Sequence, residues 1–531
     1  MGKSAAIFLL CGAVSVWAQQ HPRDKDIHDA DTLAWWHTTE ALSGDDMEGR
    51  DTGSAAYLRA ADYVVGRFKA AGLQPAGDGG SYLQNVALHE VAVTGDGTSF
   101  AVVRAGGSGS GVEAPIEFLQ EITLTPAVGM PVEVEAPLAF RGYCGKDAMK
   151  DVAGKIVVCF ASQRMGMPPT AERSANARAG GAVGLVNVDD PFFTIEPPRW
   201  PIPYARTVAA VGSERAAGAG TALLVMRLKA EVLARVIAGS GKDAAAILTA
   251  GGHMQPLESF EIPAKLRVKL HVTTKEYSSP NVLAMLPGSD AALKDQVLVI
   301  AAHLDGYGYG TPVNGDNLYN GALDDAAYVA LVIQFADDVK AGRLPAPKRS
   351  VLVCAFMGEE KGLLGSNYFV AHLTVPRERL VADINLDQLR PLFPLKILTA
   401  EAIDETTLGD TARAVGAGMG IVLRPDMEPE RGLLRRADQY PFLRIGVPAI
   451  SFVFGFDAGT DAERRYREWY NVRYHRPQDD LTQPVNFDAA KTFDDFLYKL
   501  TETVANAPER PAFKMGSSFM PKAVAGKVES K

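Results

Sequence analysis

The chain has 531 residues, of which 47% are hydrophobic and 22% charged, and its formal net charge is -9 at pH 7. That length favours two or three domains, and that composition is typical of a globular protein. The negative net charge argues against the basic surface that nucleic acid or an anionic membrane would need.

Residues 1–18 have the form of a secretory signal peptide. Lys3 precedes a mostly apolar stretch from Ala5 to Trp17, and Ala18 offers a small residue at the expected cleavage position. A lipoprotein anchor at Cys11 is disfavoured, because a leucine precedes it. We therefore expect a secreted or periplasmic protein. We expect no membrane span, because no later segment offers about 18 uninterrupted apolar residues.

The cysteines do not suggest a disulfide-rich scaffold. The sequence has 4 cysteines, and Cys11 lies within the signal segment. Cys144 and Cys159 could pair in an oxidising compartment, whereas Cys354 lies within a predicted buried strand.

The first half of the chain is predicted to contain a helical segment and then a small domain. We assign residues 25–110 to an N-terminal helical segment, since apolar residues recur at helical spacing in residues 55–72. A Gly- and Ser-rich stretch at 105–111 indicates a boundary. Residues 115–260 contain a strand, a helix and a second strand, GKIVVCFA, TAERSANARAGG and AVGLVNVD. That order favours a parallel pair within a separate domain.

Residues 265–506 are predicted to form a larger α/β domain. The segments NVLAML, QVLVIAAHLD, RSVLVCAFMGEE, VADINLD and VPAISFVF read as strands separated by helical stretches. This alternation predicts a three-layer sandwich, with a mixed, mostly parallel sheet covered by helices on both faces. Residues 507–531, which contain Pro, Gly, Lys and Ser, are predicted to be a disordered tail.

Metal-type ligands follow three of these strands. His303 and Asp305 end the first, Glu359 and Glu360 follow the second, and Asp387 ends the third. In open α/β sheets, ligands collect at the carboxyl ends of the strands. Further candidates lie between or after them: Asp324 and Asp325 at the start of a helix, and Tyr474, His475 and Asp479 on a late loop.

These residue types suit a centre with two divalent cations. Such a centre needs one carboxylate that bridges the ions and terminal ligands on each side. Imidazole and carboxylate ligands suit zinc. A metal-activated water also needs a base whose carboxylate is not bound to metal. Of the adjacent Glu359 and Glu360, one can coordinate while the other takes the proton.

The set resembles the co-catalytic di-zinc peptidases that include the bacterial leucyl aminopeptidases and the glutamate carboxypeptidases. The matching motifs are His303-Leu304-Asp305, Gly321-Ala322-Leu323-Asp324-Asp325-Ala326, Glu359-Glu360, Asn385-Leu386-Asp387 and Tyr474-His475. In addition, residues 115–260 are similar to the protease-associated domain inserted in many relatives, which carries no catalytic residue.

The resemblance implies a role for each residue of the centre. Two Zn²⁺ ions would be bridged by Asp324, with His303 and Asp387 completing one site and Glu360 and His475 the other. Glu359 would be the general base. The resemblance also implies a cis peptide after Asp324, a hydrogen bond from the His303 ring to the Asp305 carboxylate, and donation by Tyr474 to the tetrahedral oxyanion.

The sequence leaves several alternatives open. Asp325 could simply cap a helix, Asp479 could cap a loop, and Tyr474 could be an ordinary loop aromatic. The favoured function is an aminopeptidase acting on peptide or protein N-termini. A carboxypeptidase or dipeptidase is the runner-up, because Arg435 and Arg436 could hold a substrate carboxylate. A non-catalytic receptor-like module and a glutaminyl cyclase are further alternatives. Side-chain specificity and oligomeric state are not predicted.

Overall fold

The computed structural model describes residues 21–105, 112–213, 223–387 and 390–520. The predicted signal peptide, residues 1–18, lies outside these ranges. Within them, the helices are too short or too polar to cross a membrane.

The N-terminal segment contains two capped helices and then a long strand. Helix α1 (Ala30–Ser43) begins where Asp29 accepts a hydrogen bond from the amide of Thr32. Helix α2 (Ala55–Ala70) is capped in the same way by Ser54. After the short strand β1 (Gln74–Pro75) comes β2 (Leu83–Arg104). Residues 83–104 therefore form a strand instead of the predicted helical structure, because their apolar side chains are buried largely at every second position.

The protease-associated-like region is a small α/β unit. Its strands are Val112–Ile116 (β3), Ile122–Leu124 (β4), Glu133–Arg141 (β5), Ile156–Ala161 (β6), Gly184–Asp189 (β7), Ala205–Ala210 (β8) and Leu224–Leu228 (β9). Its helices are Thr170–Ala179 (α3), Leu233–Ile237 (α4) and Ala244–Gly252 (α5). As predicted, β6 and β7 pair in parallel across the connecting helix α3. Cys144 and Cys159 form a disulfide, with their Cα atoms 5.6 Å apart.

One strand joins the two α/β regions. Strand β10 (Ser259–Leu286) pairs with β5 in its first half and lies beside the sheet of the larger domain in its second half. It also pairs with β2 along most of its length. The predicted boundary at residue 265 therefore falls inside a continuous strand rather than in a linker.

The larger domain is built on a mixed sheet. Its remaining strands are Val297–His303 (β11), Gly308–Val313 (β12), Asp316–Tyr319 (β13), Ser350–Phe356 (β14), Leu380–Leu386 (β15), Ile397–Glu401 (β16), Val422–Arg424 (β17) and Ala449–Phe454 (β18). The order is β17-β16-β18-β15-β11-β14-β10, while β12 and β13 form a separate hairpin. The four central strands β14, β11, β15 and β18 run parallel, as predicted.

Helices cover both faces of this sheet. They are Ala327–Lys340 (α6), Leu364–Ala371 (α7), Thr407–Gly418 (α8), Gln439–Arg444 (α9), Asp461–Val472 (α10) and Phe487–Asn506 (α11). Alternate residues of β11 enter different cores. Leu298 and Ile300 pack with α1, α2, α6 and α11, whereas Val297 and Val299 pack with α7 and α9. This burial on both faces explains the continuous apolar run of the strand.

Residues 507–520, which follow α11, pack on the larger domain. The amide of Thr407 donates to the carbonyl of Ala512 at 2.9 Å, and that of Lys514 donates to the carbonyl of Glu405 at 2.9 Å. The Lys514 ammonium also lies 2.6 Å from Asp410. The prediction of a disordered tail is therefore wrong for residues 507–520, and residues 521–531 lie outside the described ranges.

Candidate metal centre

Three adjacent parallel strands bring their carboxyl ends to one edge of the sheet. Strand β11 lies between β14 and β15. It ends at His303, while Glu359 and Glu360 follow β14 and Asp387 directly follows β15. Two loops complete the group, because Asp324 lies just before α6 and His475 lies just after α10.

The five predicted ligands meet as two sets that share Asp324. The Nε2 atom of His303 lies 3.2 Å from Asp324 Oδ1 and 3.8 Å from Asp387 Oδ1. The Nε2 atom of His475 lies 3.3 Å from Asp324 Oδ2 and 3.3 Å from Glu360 Oε2. Within each set, all ligand atoms lie within 4.8 Å of one another. The structure therefore places the two oxygens of Asp324 toward different partners, as a bridging carboxylate requires.

The carboxylate oxygens of this cluster fit bound cations. Among the described residues, Asp324 Oδ2, Glu360 Oε1 and Asp387 Oδ1 are buried without a hydrogen-bond donor. A buried polar atom without a partner costs about 1–3 kcal/mol, and more if it is charged. Burial raises the pKa of Glu360 and that of Asp387. The donor set of imidazole and carboxylate suits zinc, so the residues present fit the two ions that the sequence predicts.

Histidine pairing lowers the pKa of the shared carboxylate. Burial acts to raise the pKa of Asp324, but the hydrogen bond to His303 and the close approach of His475 lower it overall. Asp324 therefore stays ionised, which is the state that a ligand to two cations needs.

Asp305 has a different contact from the predicted one. The Nδ1 atom of His303 lies 3.1 Å from the backbone carbonyl of Asp305 and 3.8 Å from its carboxylate. The carboxylate instead accepts from the amide of Glu359 at 3.0 Å and from the hydroxyl of Thr52 at 2.9 Å. The predicted histidine–carboxylate hydrogen bond is therefore wrong. The backbone carbonyl orients His303, and the carboxylate fixes the backbone at Glu359.

His475 is oriented by a residue that the sequence analysis did not single out. The hydroxyl of Tyr307 lies 2.9 Å from His475 Nδ1, and their ring centroids are 4.6 Å apart. Because Nδ1 is occupied by this contact, Nε2 is the ring nitrogen that faces Asp324 and Glu360. Burial lowers the pKa of His475 to about 4. The ring is therefore neutral and can act as a metal ligand.

Two aspartates hold the backbone of the cluster. The carboxylate of Asp479 accepts from the amides of Leu323 and Asp324 at 3.0 and 3.1 Å. That of Asp325 accepts from the amide of His303 at 3.1 Å. The peptide bond between Asp324 and Asp325 is cis, as the resemblance implies. Both residues thus fix backbone positions of predicted ligands, a role that the sequence analysis left open.

Arg50 is a second residue that the sequence analysis missed. Its guanidinium is fully buried and donates to the carbonyls of Leu304, Asn320 and Gly321 at 2.8–2.9 Å. These carbonyls belong to the loops that follow His303 and precede Asp324. An arginine from the N-terminal segment therefore joins two loops of the centre.

Glu359 lies beside the ligands, and Tyr474 packs on one of them. Burial raises the pKa of Glu359 well above its usual value, and the charge of Asp387 raises it further. The ring of Tyr474 stacks on that of His475 with a centroid distance of 3.7 Å. Only 2% of Tyr474 is exposed, so its position is fixed by packing.

A cavity of about 1020 Å³ separates the centre from the protease-associated-like region. Glu360 and His475 line one side, and residues of the segment between β7 and β8 line the other. Among the latter, Glu196 pairs with Arg436 at 2.7 Å. Arg199 has a buried Nη1 atom without a hydrogen-bond partner, and its guanidinium carbon lies 4.7 Å from the ring centroid of Tyr474. The second region therefore contributes to the walls of the cleft.

Comparison with known sequences assigns both regions. Residues 281–501 match Peptidase family M28, and residues 128–220 match the PA domain. Leupeptin-inactivating enzyme 1 of Streptomyces exfoliatus is 25% identical over 247 residues, which are 45% of this chain and 51% of that protein. The chain thus aligns with about half the length of that relative.

Solved structures share the fold over most of the chain. The aminopeptidase from Aneurinibacillus sp. strain AM-1 matches with a TM-score of 0.60 and 20% identity, over 90% of this chain and 95% of that chain. BSAP, a zinc aminopeptidase from Bacillus subtilis, matches with a TM-score of 0.56 and 18% identity, also over 90% and 95% of the two chains. These matches confirm the predicted α/β architecture. By these comparisons, residues 281–501 are similar to Peptidase family M28 and residues 128–220 to the PA domain.

Proposed function

We propose that this protein is an exported zinc exopeptidase with two ions per chain, and that it releases N-terminal residues from peptides. The observation that carries the proposal is the pair of ligand sets joined through Asp324, with Glu359 beside them. The match of residues 281–501 to Peptidase family M28 supports a peptide substrate. The names of the two solved aminopeptidases support trimming from the amino end.

Glu359 is positioned to move the proton. Two zinc ions at the five ligands would polarise the scissile carbonyl and lower the pKa of the attacking water. Glu359 is outside both ligand sets, so its carboxylate is free to take a proton from that water. It then gives the proton to the nitrogen of the departing peptide. The hydrogen bond between its amide and Asp305 keeps the side chain beside the ligands during both transfers.

Other residues position the proposed metal ligands or would contact the substrate. Tyr307 holds His475 through Nδ1, and Asp479 holds the backbone at Asp324. Tyr474 packs on His475 at the edge of the centre, and its hydroxyl would donate to the developing oxyanion. Because the cavity lies between both α/β regions, the PA domain would shape which peptides reach the centre.

Two observations support export. Residues 1–18 have the form of a signal peptide. The disulfide between Cys144 and Cys159 is of a kind that persists in oxidising compartments. We expect the mature protein in the periplasm or the medium, which cell fractionation with N-terminal sequencing would test. Full-length protein retained in the cytoplasm would contradict this part of the proposal.

A carboxypeptidase or dipeptidase is the second candidate, and Arg199 favours it. Its Nη2 atom lies 3.6 Å from Glu196, but its buried Nη1 atom has no hydrogen-bond partner and would donate to a substrate carboxylate. The cations that the sequence offered are less suitable, because Arg436 is already paired with Glu196 and Arg435 is exposed. A receptor-like module is disfavoured, since all five predicted ligands are present and brought together.

A digest of a peptide library by the zinc-loaded protein tests the proposal. Each peptide would be supplied free, N-acetylated and C-amidated, and the products would be read from both ends. An aminopeptidase trims free and amidated peptides and leaves acetylated ones intact. Loss of C-terminal residues, blocked by amidation, would establish the second candidate. Absence of chelator-sensitive turnover in every case would refute both.

A further inference from the structure

A separate cluster of metal-type side chains lies in the N-terminal segment. It consists of His21, which precedes α1, and of His37 and Glu40 on α1. His37 and Glu40 are three residues apart and therefore lie on the same face of the helix. One ligand atom from each of the three residues lies within 4.8 Å of the other two. None of the three belongs to the centre described above.

The contacts of the two histidines are arranged for a cation. His21 Nδ1 is hydrogen-bonded to Glu40 Oε2, and His37 Nε2 lies 2.8 Å from Asp24 Oδ1. The two imidazole rings stack with their centroids 4.1 Å apart. Each imidazole has a ring nitrogen that can bind a metal ion, and both rings lie beside the buried carboxylate of Glu40.

We propose that His21, His37 and Glu40 bind a divalent transition-metal ion, and we take zinc as the ion. Two imidazoles and a carboxylate form a ligand set that suits zinc, and the fourth position would take water or Asp24. The side chains of His21 and His37 are 24% and 35% exposed, so an ion can enter from solvent. The 7% exposure of Glu40 provides the partly desolvated carboxylate that strengthens binding.

The ion would stabilise the attachment of the N-terminal segment. Arg23, two residues after His21, donates to the carbonyl of Gln483 at 2.8 Å and lies 4.8 Å from the ring centroid of Phe487. It thereby joins the segment to the loop that follows His475 and to the start of α11. A metal ion between His21 and α1 would hold Arg23 in this position. We therefore expect an effect on stability rather than on turnover.

Zinc content with matched variants tests the site. The tag-free full chain would be loaded with zinc, freed of loosely bound ion by gel filtration and analysed for metal per chain. We expect His37→Ala and Glu40→Gln to hold one zinc ion fewer than the wild type. The control is His28→Ala, which removes an exposed histidine of the same segment and should hold as many ions as the wild type. Turnover should be unchanged in all three variants.

The comparison of variants decides the outcome. Equal zinc content in the wild type, His37→Ala and Glu40→Gln would overturn the proposal, as would an equal loss in His28→Ala. Glu40→Gln retains an acceptor for His21, so a folded variant is available even if His37→Ala is unstable. Zinc should also raise the melting temperature of the wild type more than that of Glu40→Gln. The loss of one zinc ion in these variants does not depend on the proposed peptidase centre. If the proposed peptidase function were wrong, turnover would be absent in the wild type as well.

Discussion

Replacement of Asp479 tests how the chain holds Asp324, the proposed bridging ligand. The Oδ1 atom of Asp479 accepts from the amide of Leu323 and from the side-chain amide of Gln483, and Oδ2 accepts from the amide of Asp324. In Asp479→Asn, the remaining carbonyl oxygen can keep the first two contacts. The new NH₂ group faces the amide of Asp324, and two donors then oppose each other.

The expected cost follows from the number of donors left unpaired. One buried unpaired donor costs about 1–3 kcal/mol, so Asp479→Asn should lower the free energy of unfolding of the metal-free protein by that amount. Asp479→Ala leaves the amides of Leu323 and Asp324 unpaired, whereas the Gln483 side chain keeps the carbonyl of Gln478, so the variant should cost at least about 2 kcal/mol. Because the affected amide belongs to Asp324, zinc affinity should also fall by about 10–100-fold, as is usual when a residue that orients a ligand is changed.

Urea unfolding with chelator present and activity in zinc buffers would measure these two effects. The matched control is Asp480→Asn, because Asp480 is the adjacent residue and its carboxylate binds Thr482 instead of the centre. It should behave like the wild type in both assays. If Asp479→Asn bound zinc within twofold of the wild type and unfolded at the same urea concentration, the positioning role of Asp479 would be refuted.

The remaining predictions concern the base, one ligand, its orienting residue and a buried acid. Glu359→Gln should lower kcat by about 10²–10⁴-fold while two zinc ions stay bound. Glu360→Ala should lose one zinc ion. If the two variants showed each other's phenotype, the roles assigned to Glu359 and Glu360 would be contradicted. Tyr307→Phe removes the partner of a histidine ligand, so we expect zinc affinity at one site to fall by about 10–100-fold in a chelator competition, and unchanged affinity would argue against the contact. Burial raises the pKa of Glu401 from 4.5 to about 7. The native state then binds more protons than the unfolded state, so stability should fall as the pH rises from 4.5 to 7. Glu401→Gln should remove this contribution to the pH dependence and raise the free energy of unfolding by up to ~3 kcal/mol above pH 7, as measured by urea titration. A similar gain in the exposed control Glu231→Gln would show that burial of Glu401 is not the cause.

The convergence of the five predicted ligands could be expected from the sequence, because strand ends and short motifs place them. Strand β11 and its neighbours are apolar runs that end in His303, in Glu359 and Glu360, and in Asp387, and parallel strands bring these ends together. Continuous apolar runs thus predict buried parallel strands, and the ends of these strands predict where the metal-type side chains meet.

The contacts that orient the ligands could not be predicted in the same way. Tyr307 and His475 are 168 residues apart, and no sequence motif indicates that the hydroxyl of one contacts the ring nitrogen of the other. Arg50 reaches the centre from the N-terminal segment, and in the sequence it cannot be told from a surface arginine until its four carbonyl acceptors are known. For Asp305, the motif correctly indicated a contact with the His303 ring, but the contact is made by the backbone carbonyl and not by the carboxylate.

The domain boundaries were predicted less well because one strand serves two sheets. Strand β10 is 28 residues long and pairs with β5 at one end and β14 at the other. A linker would have shown as Gly, Pro or Ser, whereas this strand keeps its alternation of buried and exposed residues through most of the boundary. The composition of the last residues likewise could not reveal that Ala512 and Lys514 pair with the start of α8 and the loop before it.

Anomalous diffraction at the zinc edge from crystals of the zinc-loaded protein tests the two-ion centre most directly. We expect two peaks separated by a single carboxylate, that of Asp324. One peak should contact His303 and Asp387, and the other should contact Glu360 and His475. A single peak, or two peaks that do not share Asp324, would contradict the proposed centre.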